Sequence, residues 1–165
     1  MPSGLVYLRP KPIVFYRIEA DAGEGSEAAW TKLRKWCAGT QFLREAKLGY
    51  GIVYHGKNQA GEARTIYEAG IELPTADYRT STHALGVKML PSGPYFRQRY
   101  VGGFSAIERQ TLQLRENELK HKQFEHDETR PAVEAFLLNP CNSGPPTMKV
   151  DLLIPIALAE NAKAA

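Results

Sequence analysis

The order of strand and helix signals in this chain repeats once, and that repeat limits the folds open to it more than any other feature. Apolar alternation predicts strands over Leu5–Leu8 and Ile13–Ile18, divided by Pro10 and Pro12. A helical stretch follows from about Ser26 to Cys37, with Ala29, Leu33 and Trp36 spaced i, i+4, i+7 and Gly39 as a stop. Two more strands come next, Leu48–Tyr54 and Arg64–Leu73, joined through the hairpin loop 56–61. The second half runs in the same order. Strands are predicted over Ala84–Leu90 and Tyr95–Tyr100, a helix from Ser105 to about Leu119, then strands over Ala132–Leu138 and Met148–Ile156. The offset is roughly 80 residues, with Leu5 opposite Leu85 and the Pro10–Pro12 break opposite Pro91–Gly93. A two-fold β-β-α-β-β order in so short a chain predicts an α+β fold. One antiparallel sheet would carry two helices on one face, with a ligand pocket in the crease between the halves.

Within this plan the pseudo-repeats span about 4–73 and 84–156, in one domain over 1–157. Residues 74–83 read as a linker, 120–129 as a polar loop and 158–165 as a disordered tail. Ser105-Ala106-Ile107-Glu108 has the pattern of a capping box, which explains Ser105 better than a nucleophile does. On that helix Ile107 and Leu114 share an apolar stripe, and Arg109, Gln110, Arg115 and Glu116 should face water.

Several function classes are disfavoured by composition. The net charge is +3 and the basic residues are dispersed, which argues against direct DNA binding. No apolar run approaches the ~20 residues of a membrane span, and the start lacks the pattern of a secretory signal. A cytoplasmic location is the expectation. Cys37 and Cys141 are too few and too distant for a disulfide framework or a zinc site and read as free thiols. His55, His83, His121 and His126 lack metal-ligand spacing. No cofactor or metal is expected. Gly102-Gly103 reads as a tight turn.

One residue breaks the apolar pattern. In Arg130-Pro131-Ala132-Val133-Glu134-Ala135-Phe136-Leu137-Leu138, both strand faces are apolar, so Glu134 has no solvent side. A buried carboxylate must be paired, hydrogen-bonded or held neutral. Glu134 is therefore either a ligand-facing carboxylate or half of an internal salt bridge with Arg17, Arg97 or Arg99. Tyr16, Trp30, Trp36, Tyr54, Tyr67, Tyr95 and Phe136 also fall on predicted elements. Aromatic faces attract cations at ~0.5–2 kcal/mol each, so such rings around a carboxylate would form a cation cage.

In this order the segments Val14-Phe15-Tyr16-Arg17, Ala29-Trp30-Thr31-Lys32-Leu33, Gly51-Ile52-Val53-Tyr54 and Tyr67-Glu68-Ala69-Gly70-Ile71 resemble the GyrI-like small-molecule-binding family. The resemblance continues through Leu90–Tyr95, Tyr100–Phe104, Arg130–Phe136 and Val150–Ile156, so it covers about residues 4–156. That family includes effector-binding domains of AraC-type and MerR-type multidrug regulators. The resemblance implies tandem β-α-β-β units with a pocket between them. It also implies a glutamate on the penultimate strand that meets lipophilic cations, a position held here by Glu134. Phe136 stands where the family commonly has tyrosine, and His55-Gly56 replaces an acidic-Pro turn. No helix-turn-helix segment is recognisable, so a stand-alone binding protein is expected rather than a regulator. Its ligand contacts would come from Glu134, Phe136, Tyr16, Trp30, Tyr54, Tyr67 and Tyr95. Two alternatives stay open. One is a hydrolase of strained, cyclopropane-type electrophiles with Glu134 as the catalytic base. The other is a gyrase-inhibitor-like protein with a protein partner.

Overall fold

The computed structural model describes residues 3–20, 25–38, 48–57, 59–73, 85–118, 124–137 and 148–158. The first half supplies β1 (Ser3–Leu8), β2 (Pro12–Ala20), α1 (Gly25–Cys37), β3 (Gly49–Lys57) and β4 (Ala63–Glu72). The second supplies β5 (Gly86–Met89), β6 (Gly93–Gly102) and α2 (Ile107–Gln113). It continues with β7 (Phe124–His126), β8 (Ala132–Phe136) and β9 (Met148–Leu158). These nine strands form one antiparallel sheet in the order β1-β6-β9-β8-β3-β4-β2-β5, with β7 added beside β9.

The pairing shows how the two halves interlock. Strands β2, β4 and β3 of the first half correspond to β6, β9 and β8 of the second, and β3 pairs with β8 at the centre. The leading strands are exchanged: β1 pairs with β6, and β5 pairs with β2. The repeat extends to single residues. Arg17 lies opposite Glu68 on β2 and β4, and Arg99 lies opposite Asp151 on β6 and β9. Each arginine grips its carboxylate with Nε and an Nη, at 2.6 to 3.1 Å.

The exchange forces the sheet to curl. Strands β1 and β2 stand six places apart, which is ~29 Å in a flat sheet. Yet only residues 9–11 join them, a reach of roughly 14 Å. The β5–β6 link, residues 90–92, is equally short. The two ends therefore close on each other, and the Leu90 amide donates to the Lys11 carbonyl at 2.7 Å. Inside the curl lies a core of Ile13, Tyr50, Ile52, Leu90, Tyr95, Val133 and Leu153.

Both helices cover the other, outer face. There Ala29, Trp30, Leu33 and Cys37 of α1 and Ile107 and Leu114 of the second helical segment meet Tyr67, Ala69, Phe96, Phe136, Val150, Leu152 and Ile154. Alternation along each strand separates the two cores, as period-two side-chain geometry requires. Burial holds the Cys37 thiol protonated, with its pKa pushed up to about 11.

Three local expectations are corrected. The second helix does not begin with a capping box. The chain enters it through a 3-10 turn, Phe104–Ala106, and Ala106 becomes the N-cap with no side-chain hydrogen bond. Ser105 is thereby moved inside the turn, out of the capping position. The helix then loosens into a π-helical turn over Leu114–Glu118. The stretch 120–129 is not only a loop, because Phe124–His126 pairs with Ile156–Leu158 of β9. A single apolar anchor, Phe124, among polar residues gave too little periodicity to reveal a strand. The linker 74–83, His83, Leu119, His121, Cys141 and residues 159–165 lie outside the described residues.

Candidate ligand-binding site

The outer face is not fully covered. Between α2, the start of α1 and the centre of the sheet lies a cleft of ≈ 390 Å³. Its floor is Val53 and His55 from β3, Thr65 and Tyr67 from β4, and Ala132 and Glu134 from β8. Ser26 closes one side. Phe104, Ser105, Ile107, Glu108, Thr111, Leu112 and Arg115 form the other wall.

Glu134 sits where the two halves meet. Its partner across β3 is Gly51, which occupies the equivalent position in the first repeat. A Cβ at Gly51 would lie 2.1 Å from the Tyr67 hydroxyl and 2.6 Å from Glu134 Oε1. The absence of a side chain there lets Tyr67 cross the strand and donate to Glu134 Oε1 at 2.8 Å. The Trp30 indole N–H donates to the same hydroxyl at 2.9 Å. Indole nitrogen only donates, so the tyrosine oxygen must accept from it and direct its own proton at the carboxylate.

No cationic side chain among the described residues pairs with Glu134. The internal salt bridge does not form: Arg17 is engaged by Glu68 and Arg99 by Asp151, and both pairs, with Arg97, lie on the inner face. Glu134 is 7% exposed. Burial pushes its carboxyl up to about 7; the Tyr67 hydrogen bond works against that rise, and the charge of Glu108 adds to it. The Tyr67 phenol is held well above its ordinary range by burial, then by the charge of Glu134 and its hydrogen bond. Glu134 Oε1 is thus occupied, and the carboxylate has capacity left for a ligand.

The other sequence-selected residues divide by strand parity. Tyr67 shares the cleft wall with Glu134. Trp30 and Phe136 stand behind it, with ring centroids 5.3 Å apart and edge-to-face; Phe104 joins them 5.7 Å from Phe136. Tyr16 packs against the outer core without reaching the cleft. Tyr54 and Tyr95 point to the inner face. There the Tyr54 hydroxyl accepts from Lys88 Nζ at 2.8 Å, and Tyr95 lies under the Arg130 guanidinium at 4.9 Å. The cleft is consequently less aromatic and more polar than the spacing of rings implied. His55, Thr65, Glu108, Thr111 and Arg115 escaped sequence reasoning, and Arg115 faces the cleft instead of bulk water. Parity counted from Gly51 marks His55, and parity from Tyr67 marks Thr65. Along α2 and the π-helical turn that continues it, Glu108, Thr111 and Arg115 make a polar stripe at i, i+3, i+7.

A family model described as a GyrI-like small molecule binding domain matches residues 1–157. The chain belongs to that family. Among curated proteins none matches the sequence. The GyrI-like fold recurs in solved structures. The C-terminal domain of EcmrR superposes with a TM-score of 0.64 at 10% identity, over 96% of this chain and 98% of that domain. SAV2435 bound to tetraphenylphosphonium gives 0.56 at 13% identity, over 93% and 94%. A hydrolase from Listeria innocua gives 0.56 at 14% identity, over 94% and 91%. At such identities the likeness is one of fold. No helix among the described residues is long and apolar enough to cross a membrane.

Proposed function

We propose that this GyrI-like domain binds lipophilic organic cations, and sequesters or senses them, with Glu134 as the anionic contact. The observation that carries this is a carboxylate 7% exposed, without a cationic partner among the described residues, on the wall of an open cleft. A lipophilic cation would supply the missing charge without the full hydration cost of a small ion. The apolar wall of Val53, Ile107, Leu112 and Ala132 would take its body. The tetraphenylphosphonium bound by SAV2435, a protein of the same fold, supports this chemistry. Titration with tetraphenylphosphonium and with neutral triphenylphosphine oxide tests it. Glu134→Gln should weaken the cation by ~1–3 kcal/mol and leave the neutral compound nearly unchanged. Equal losses for both compounds would remove the electrostatic part.

A second reading is favoured by the value near 7 held by Glu134, which suits a general base. A water oxygen would attack a strained cyclopropane carbon and pass its proton to Glu134, as the ring bond breaks toward a conjugated acceptor. Ring-opened product that forms with the protein and is lost in Glu134→Gln would establish it; tight binding with no product would leave sequestration alone.

A further inference from the structure

Glu134 occupies only one end of the cleft. His55 lies four residues beyond Gly51 on β3, ~13 Å along the strand from the Glu134 row. On β9, Leu152 pairs with Glu134, and Ile156, four residues on in the same direction, pairs with His126. Paired residues share a sheet face, so His126 stands on the outer face at the level of His55. Arg115 completes this end from above, seven residues past Glu108, or ~10 Å along the helix. It is half-buried, and its guanidinium makes no hydrogen bond or ion pair with a described residue. Between the ends, the Thr111 hydroxyl is buried without a partner among the described residues.

The charges facing this end are of both signs. Burial, and after it Arg115, holds both imidazoles below their ordinary pKa, while Glu108 opposes this at His55, and Glu128 and Asp127 oppose it at His126. Asp127 is already committed to Arg130 and Thr129. Neutral imidazoles can donate a hydrogen bond as well as accept one, and the His55 Nδ1 contacts the Thr65 hydroxyl at 3.4 Å. Arg115 is therefore the cation at this end, set against the carboxylates of Glu108 and Glu128, with polar donors beside it.

Resting on the cation reading above, we infer that the cleft is built for a bipolar ligand: a cation at Glu134 and, about 10 Å away, a carboxylate or similar anionic group at Arg115, His55 and Thr65. This separates it from a pocket for simple lipophilic cations, because the second end rewards a negative group that such cations lack.

Three probes matched in length to within one atom test it by calorimetry: trimethylammonio-octanoate, its methyl ester and nonyltrimethylammonium. The zwitterion should bind about tenfold more tightly than the ester, as a charge-assisted contact gives. Arg115→Gln should erase that preference and leave the affinity of the ester within about twofold. Glu134→Gln should weaken all three alike. Equal binding of zwitterion and ester by the native protein would overturn the bipolar inference, as would a loss in Arg115→Gln shared by all three. A zwitterion preference that depends on Arg115 while no probe responds to Glu134→Gln would keep the anionic end and sink the cation reading instead.

Discussion

At the scale of single residues, the burial of Glu134 costs stability. Its folded pKa of about 7 lies above the ordinary 4.5, so between those values the native state holds a proton that the unfolded chain has released. Stability therefore falls as pH rises through this window, and the whole penalty is present above about 7. The difference corresponds to about 3 kcal/mol. Glu134→Gln should be more stable than the native protein at pH 8 by ~1–3 kcal/mol, with the gap closing near pH 4.5. Urea unfolding at the two pH values measures this. A variant less stable at pH 8 would mean that the ionised carboxylate has a cationic partner in the folded protein. Gly51 is the complementary choice: one repeat supplies the carboxylate, and its equivalent in the other repeat supplies the space.

At the scale of elements, Arg130 ties three strands together. Its Nη atoms donate to the carbonyls of Ser92, Pro94 and Ile156, and its Nε to Asp127, at 2.8 to 3.2 Å. Gly93, at φ +124°, leaves room for the guanidinium, since a Cβ would lie 2.5 Å from Nη1. The clamp fixes the start of β6 and the end of β9 against the turn that leads into Glu134. Arg130→Ala should cost ~1–3 kcal/mol, as expected when the part-buried Ile156 carbonyl and Asp127 lose a charged donor while the exposed Ser92 and Pro94 carbonyls turn to water. Thermal unfolding would show this, and a cost below 0.5 kcal/mol would contradict the clamp.

The same elements show what the sequence could carry. Two-fold order, strand alternation in β2, β3, β4, β8 and β9, and the anomaly of Glu134 were all legible, because period-two burial is written directly in residue type. The exchange of β1 and β5 was not, since strand pairing is non-local and residues 9–11 suit a turn to either neighbour. Nor was the identity of the cleft residues beyond Glu134 and Tyr67. Aromatic residues were read by type, whereas facing is decided by parity relative to Gly51, and parity sends Tyr54 and Tyr95 inward. The amphipathic pattern places Arg115 in water, because amphipathicity alone does not distinguish water from a polar cleft.

At the scale of the whole molecule, the cleft is a product of the repeat. The central β3–β8 pairing joins the halves, α1 and α2 flank the junction, and neither half alone encloses the site. The curled inner core and the paired bridges Arg17–Glu68 and Arg99–Asp151 hold the frame, and Glu134 has no cationic partner among the described residues. If that carboxylate is the cation contact, binding must compete with its protonation. The decisive measurement is the Kd of tetraphenylphosphonium, a permanent cation, between pH 5 and pH 8. The native protein should lose affinity as pH falls below about 7, up to the loss that Glu134→Gln itself causes, and level off above it. Glu134→Gln, which keeps His55, His126, Glu108 and Arg115, should bind weakly with a nearly flat profile. A flat native profile, or the same slope in both proteins, would contradict the account.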